Sequence, residues 1–425
     1  MSEKTKDMEN KEKTTSVPPE ALEPDKSSET GEKKEATQSM VYRLRCKITL
    51  PDGSIEDGEA AATVDDEALH LLPNDGLRID LPYRDISSAK AEDYRVFLDI
   101  ASGGRIELYY LGKQYGFFVG DFIRKYDDTV KKDTFMAEEV KLAAKGAKFC
   151  VSGERNASGI CNISIGSTAM ILEAENGPIY RLPYALVENP RRGDYCITFS
   201  LFQMENWELS MLGKSMDDTW RDFTGAMDRL LQPVYAAVEG ICPGVNPFAL
   251  RKAAFMLRDG RAAKRDELEA AAPGLWEALI KQAEGWGAGE YFSHLLQRMK
   301  GEPGIGYKKP LRSDQEEYLF IIARVGNSLV LEAASPEGGG KATYVFSAGE
   351  DPEGLMGKLN YCLHMVEFRR EPIYLSEAEL AKPENASYAK AVQMMPQLKL
   401  LRAAFKGRVT HSTVDAWKAA VEKLL

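Results

Sequence analysis

The chain predicts a mainly β fold with α elements: two tandem seven-stranded units, each capped by a C-terminal helix, followed by a helical and α+β region. Three observations predict this. A domain-sized stretch of sequence recurs without a gap, residues within each copy alternate apolar and polar, and each copy ends with apolar residues at helical spacing.

The repeat is visible in LPYRDI, Leu81 to Ile86, which returns as LPYALV, Leu182 to Val187, an offset of 101 positions. At the same offset Gly58 matches Gly159, Ala68 matches Ala169, Gly76 matches Gly177, Asp93 and Tyr94 match Asp194 and Tyr195, and Glu107 and Leu108 match Glu208 and Leu209. LGK at Leu111 to Lys113 matches LGK at Leu212 to Lys214, Asp121 and Phe122 match Asp222 and Phe223, and Asp127 matches Asp228. Substituted positions keep their physical type, as in Val64 with Ile165, Leu98 with Phe199 and Val96 with Ile197. Apolar positions persist while polar ones drift, the pattern of a duplicated core with diverging surfaces.

In the first copy Tyr42, Leu44, Cys46, Ile48 and Leu50 alternate with Arg43, Arg45, Lys47 and Thr49, which predicts a half-buried strand over 42–50. Extended stretches follow near 58–64, 68–73, 77–82, 86–91, 95–101 and 105–112, separated by Asn-Asp-Gly and Ser-Gly-Gly turn signals. After LGK the period changes. Phe118, Val119, Phe122, Ile123 and Tyr126 make one helical stripe, and Trp220, Phe223, Met227, Leu230 and Leu231 its counterpart. The glycine of LGK suits a sharp strand-to-helix turn, and the proline of LPY a strand end that needs no ladder donor.

These boundaries place units at 41–135 and 147–240. The remainder, 241–425, predicts helices near 246–258, 262–283 and 289–299, then strands in YLFIIARV, SLVLEA and KATYVFS, a helix from Pro352 to about Phe368, and helices to the C-terminus, where Trp417, Val421 and Leu424 form a packing stripe. This region is either a third, degenerate unit or an unrelated small α+β domain. Residues 1–40 are rich in Lys, Glu, Ser, Thr and Pro and lack Phe and Trp, so they read as a disordered tail.

The two units, with seven antiparallel strands, one capping helix and LPY leading into an aliphatic strand, resemble the pleckstrin-homology (PH) superfold, in particular its bacterial PH-like and GRAM-like branches. The resemblance covers about 41–135 and 147–240. It implies barrels of two nearly orthogonal sheets closed at one corner by the helix, acting as binding modules for lipids or peptides. Phosphoinositide-binding members place several Lys and Arg around the first hairpin to neutralise phosphate, and here that hairpin reads PDGSIEDGE.

Charge argues against anionic partners. Both units hold more Asp and Glu than Lys and Arg within a chain of formal net charge −10, so nucleic acid is excluded as a partner and membrane lipid disfavoured. Arg43, Arg45 and Lys47 line one strand face and are the candidate partner-binding residues, although the second copy has Ala144, Gly146 and Lys148 there. Arg251, Lys252, Arg258, Arg261, Lys264 and Arg265 form a second basic group, read as a solvated helical face. Glu267 to Leu279, broken by Pro-Gly, reads as helix-hairpin packing around Trp276. MLGKS at Met211 to Ser215 resembles the end of a phosphate-binding loop, but Glu208 stands where its first glycine belongs.

The six cysteines and four histidines show no zinc-ligand spacing, so no metal or cofactor is expected. No hydrolase, zincin or dinucleotide signature assigns a catalytic residue. Without an apolar run of membrane-spanning length, the expected location is cytoplasmic. The expected function is a non-catalytic adaptor or scaffold binding protein or peptide segments through its tandem modules. Peripheral membrane attachment is the runner-up, and an enzyme with its site in the C-terminal region is third.

Overall fold

Strand β1 (Val41–Thr49) begins the first repeat as its alternation requires, with Tyr42, Leu44, Cys46 and Ile48 buried and the basic residues outward. The computed structural model describes residues 40–425 except 75, 176, 203, 312–316 and 337–340; the expected tail lies outside the described residues apart from Met40. After β1 come β2 (Ile55–Val64), β3 (Ala68–Pro73), β4 (Ile79–Pro82), β5 (Ile86–Glu92), β6 (Arg95–Ile100), β7 (Arg105–Tyr109) and helix α1 (Tyr115–Asp133). The second repeat is β8 (Lys141–Gly153), β9 (Ala157–Ile165), β10 (Ala169–Ala174), β11 (Ile179–Pro183), β12 (Val187–Arg192), β13 (Cys196–Leu201), β14 (Glu205–Ser210) and α2 (Met216–Ile241).

Each repeat is one curled antiparallel sheet, with strand orders β4-β3-β2-β1-β7-β6-β5 and β11-β10-β9-β8-β14-β13-β12. Strands β4 and β5 adjoin in sequence yet end opposite edges of the sheet. The chain must therefore cross from one edge to the other at LPY, and the repeated motif is the device for that crossing. Pro82 and Pro183 end their strands and lead into single 3₁₀ turns, Tyr83–Asp85 and Tyr184–Leu186. The Tyr83 hydroxyl donates to the Asp65 carbonyl at 2.6 Å, and that of Tyr184 to the Gly166 carbonyl at 3.4 Å. The amides of Tyr83 and Tyr184 donate to the carbonyls of Glu67 and Thr168 at 3.1 and 3.0 Å. Their rings meet Phe122 and Phe223 with centroids 6.0 and 5.8 Å apart. Every one of these pairings is preserved at the sequence offset, which explains why Leu-Pro-Tyr and the helical phenylalanine persist.

LGK has an equally local cause. Gly112 and Gly213 have φ of +56° and +53°, the left-handed conformation that a side chain disfavours, and the helix starts within three residues. Before them Leu111 and Leu212 insert into the cores.

The C-terminal region contains α3 (Pro247–Leu257), β15 (Ala263–Lys264), α4 (Arg265–Ala271), α5 (Leu275–Gly285), α6 (Gly289–Arg298), β16 (Gly304–Lys308), β17 (Tyr318–Val325), β18 (Ser328–Ala334), β19 (Ala342–Ser347) and α7 (Pro352–Met365). It ends with α8 (Glu371–Tyr374), α9 (Glu377–Leu380), α10 (Ala386–Met394), α11 (Pro396–Ala404), β20 (Phe405–Thr410) and α12 (Val414–Glu422). Its six strands form a meander in chain order, unlike the wrapped order of the repeats. Two departures from the sequence reading stand out. The helix expected from 262 begins only at Arg265, because Ala263 and Lys264 pair with β16 as β15, and the helical run expected to the C-terminus is interrupted by β20, which completes the sheet beside β19. The expected Pro-Gly break falls at Gly274, whose φ is +83°.

Cores are shared unequally. The first repeat encloses its own buried cluster, from Tyr42 to Val130. The second merges its core with the C-terminal sheet and helices, joining Phe149, Trp207 and Phe223 to Phe320, Phe346 and Leu363. Residues Met40–Leu425 thereby form one unit. Among the described residues no helix is long and apolar enough to cross a membrane.

Candidate functional site

The LPY corners expose backbone carbonyls that the sheets leave unused, and in both repeats a buried cation from the C-terminal region takes them. Lys390 on α10, 2% exposed, donates its ammonium to the carbonyls of Arg84, at 3.2 Å, and Ile86. Arg258, 1% exposed, donates to the carbonyls of Tyr184 and Val187 at 3.3 and 2.5 Å and also to Phe255. Ile86 and Val187 are equivalent positions. The same corner therefore grips a segment of this chain twice, with a different cation each time. Burial pulls the Lys390 ammonium down to about 8 against the pull of Asp133 and Asp85, and carries the Arg258 guanidinium well below its ordinary range.

Docking α10 on the first repeat leaves a cleft of about 750 Å³ where both repeats meet the C-terminal region. Five methionines, Met136, Met204, Met365, Met394 and Met395, share its wall with Tyr126 and Tyr180. Unbranched thioethers adapt to varied shapes. Ser87 to Lys90 of β5 form another wall, and β5 is the last strand of its sheet. Asp93 and Tyr94 make a two-residue turn, so the flanking Glu92–Arg95 pair is hydrogen-bonded and alternate residues Ala89 and Ala91 turn their N–H and C=O away from β6. The corresponding edge in the second repeat is blunted: β5 and β12 both carry a register shift and a docked cation, but the shift in β12 falls in mid-strand, between Glu188 and Arg191, and Pro190 there has no N–H to offer.

Two charged groups in the cleft are held rigidly. Arg155 lies over the rings of Tyr180 and Trp207, 4.9 and 5.8 Å from their centroids, and meets Glu205 at 2.9 Å. Glu205 in turn accepts from the Trp207 indole at 3.0 Å. Asp127 on α1 is different: burial pushes its carboxyl up to about 7, with Lys131 opposing and Glu173 adding to the rise. Its match at Asp228 is an exposed residue near Arg251.

The residues named from sequence are placed as follows. Arg43 is exposed on β1, and Arg45 bonds Asp57 at 3.0 Å beneath the Tyr109 ring. Lys47 stands in register between Asp57 and Glu107. The three share a face, and that face already contains its counter-charges. The second basic group is dispersed: Arg258 is buried, Arg261 pairs with Glu188 at 2.6 Å, and Arg265 pairs with Glu277 at 3.0 Å. The solvated face expected there fails for Arg258 because its donors reach carbonyls some 70 residues away in sequence. Trp276 is buried with Leu268, Leu275 and Leu279, as helix-hairpin packing requires. Cys362 and His364 are buried on α7, and among the described residues no group of potential metal ligands converges.

No family model and no curated protein matches the chain. Among the solved structures that match is one described as the Spt16D Pob3N heterodimer, at 15% identity, covering 38% of this chain and 84% of that chain with a TM-score of 0.17. The strand order, not this likeness, fixes the architecture described above.

Proposed function

We propose that the protein is a non-catalytic adaptor or scaffold whose PH-like modules bind protein segments, and that a partner segment docks in the methionine-lined cleft by adding a strand to β5. The observation that carries this reading is the unpaired edge of β5 inside an adaptable apolar cleft. Backbone bonds to Ala89 and Ala91 supply register, and alternate partner side chains enter among the methionines. Lys390 and Arg258 support the same reading, because both modules already hold segments of their own chain at equivalent corners. The cleft is preferred to Arg43, Arg45 and Lys47 because Arg45 is already paired with Asp57 and Lys47 stands beside the same carboxylate.

The test is Ala89→Pro. Proline on an edge strand, at a position whose N–H faces outward, removes only the donor a partner strand would use. Tagged full-length protein carrying Ala89→Pro should keep the thermal unfolding midpoint of the parent and lose the partners that the parent captures from its native host. Capture of the same partners in the same amounts by a folded Ala89→Pro protein would refute docking at β5.

A further inference from the structure

A second cavity, of about 780 Å³, lies between the C-terminal sheet and the second repeat. Sheet residues Phe320, Tyr344 and Phe346 form an aromatic wall, and Phe368 extends it with its ring centroid 6.0 Å from that of Phe320. The volume falls within the range of sites for small organic molecules. Beside those rings the lining is ionic. Arg181, 3% exposed, donates to the His364 carbonyl at 2.7 Å, to Thr168 at 2.9 Å and to Glu367 at 2.9 Å, yet its Nε has no partner. His364, 2% exposed, likewise has an Nε2 without a partner. Two orphaned nitrogens on neighbouring buried side chains are unusual, because each costs the desolvation of a polar group without return.

The local field has a definite sign. Burial and then Lys308, Arg261, Arg181 and Arg258 hold the His364 imidazole well below its ordinary range, so it is neutral at pH 7. Three of those cations contact a carboxylate: Lys308 meets Asp259, Arg261 meets Glu188 and Arg181 meets Glu367. Arg258 meets carbonyl oxygens. At the rim, Glu138 is committed to the amides of Ser167 and Thr168, while Lys132 and Arg369 are exposed. Across the lining, Lys132, Arg181, Lys308, Arg369 and Arg370 stand against Glu138, Asp259, Glu367 and Glu371, so positive charge is in slight excess beside the aromatic surface.

We infer that this cavity is a binding site for a small organic anion, in which a carboxylate, sulfonate or phosphate group faces Arg181 and His364 while an aromatic body lies against Phe320, Tyr344 and Phe346. Charge-assisted bonds select the head group and ring contacts the body. Lys132 and Arg369 attract the anion from solution.

The probe is 8-anilinonaphthalene-1-sulfonate, compared with the uncharged N-phenyl-1-naphthylamine, each titrated by fluorescence into the full chain at low salt. The sulfonate should bind about tenfold more tightly than the neutral compound, a difference that Arg181→Met should abolish. Because Arg181 is buried, the paired reversal Lys132→Glu with Arg369→Glu provides a second reading at exposed positions. That variant should weaken the sulfonate about three- to tenfold and leave the neutral compound unchanged. Equal affinity for the two compounds, or a sulfonate affinity untouched by the rim reversal, would overturn the assignment.

Discussion

Lys390→Met tests how the C-terminal region is held on the first repeat, and its signature is a dependence on pH. The ammonium has a folded pKa of about 8 against 10.5 in the unfolded chain. Between those values the folded protein releases a proton that the unfolded chain keeps, so unfolding takes up protons and stability rises with pH. Across that window the gain is about 3 kcal/mol, which is also the cost of holding the charge buried at pH 7. Methionine removes the cost but strands the carbonyls of Arg84 and Ile86, each worth about 1–3 kcal/mol when unsatisfied. At pH 7 the two effects nearly cancel, and Lys390→Met should lie within about 1 kcal/mol of the parent. At pH 10 only the stranded carbonyls remain, and the variant should be less stable by about 2–3 kcal/mol. Urea unfolding of both proteins at pH 7, 8.5 and 10 measures the difference directly, with changes at other groups common to both. A difference constant across the three pH values would show that Lys390 does not hold its charge against burial at this corner.

Three other outcomes follow from the same geometry. Tyr83→Phe should destabilise the protein by about 1–2 kcal/mol and Tyr184→Phe by less, because their bonds to Asp65 and Gly166 are 2.6 and 3.4 Å long; the order of the two unfolding midpoints checks it. Asp127→Asn should stabilise the protein at pH 8 by about 2 kcal/mol and by nothing at pH 3.5, since a carboxyl raised from 3.8 to about 7 keeps a proton in the folded state that the unfolded chain has lost, and water in the cleft screens about half of the full effect; parallel denaturation curves at the two pH values would contradict this. A fragment of residues 40–135 should unfold cooperatively by itself, whereas 141–241 should not, because only the first repeat encloses its own core; dispersed amide resonances from the second fragment would count against that division.

The repeats were legible in sequence because their causes are local. Pro82, Tyr83, Gly112 and Phe122 act within one unit, and each must recur wherever that unit is built. Strand β16, with two glycines in five residues, carries too little alternation to be read, and β20 hides its Phe405, Gly407, Val409 alternation between two helices. The cleft was illegible for a different reason. Its methionines come from segments some 260 residues apart, and nothing in the neighbourhood of Met136 announces Met395. Arg258 shows the limit most clearly: the sequence places it among exposed basic neighbours, and only the packing of α3 against the second repeat takes it out of water. Asp127 is a repeated identity, yet it is half-buried beside Lys131 and, from the second repeat, Glu173, while Asp228 lies exposed near Arg251, and nothing in the local sequence separates the two.

That asymmetry explains why a duplicated module has been kept in two unlike states. An isolated curled sheet leaves two edges and an unsatisfied corner, and each is an invitation to associate. In the second repeat α7 packs against β11, Arg258 fills the corner, and the bulge with Pro190 spoils β12 for pairing. In the first repeat Lys390 fills the corner alone, and β5 keeps a regular ladder with β6 from Ser88 to Glu92. An edge that regular is open to pairing with another strand, and the methionine wall beside it is apolar and adaptable. The second repeat thus serves as the fixed mount for the C-terminal region, which in turn shapes the cleft over the first. Blunting β5 as β12 is blunted, by Ala89→Pro, would place proline at the position that Pro190 holds in the second repeat and convert the open edge into the closed one, at a half-buried site on the margin of the first core.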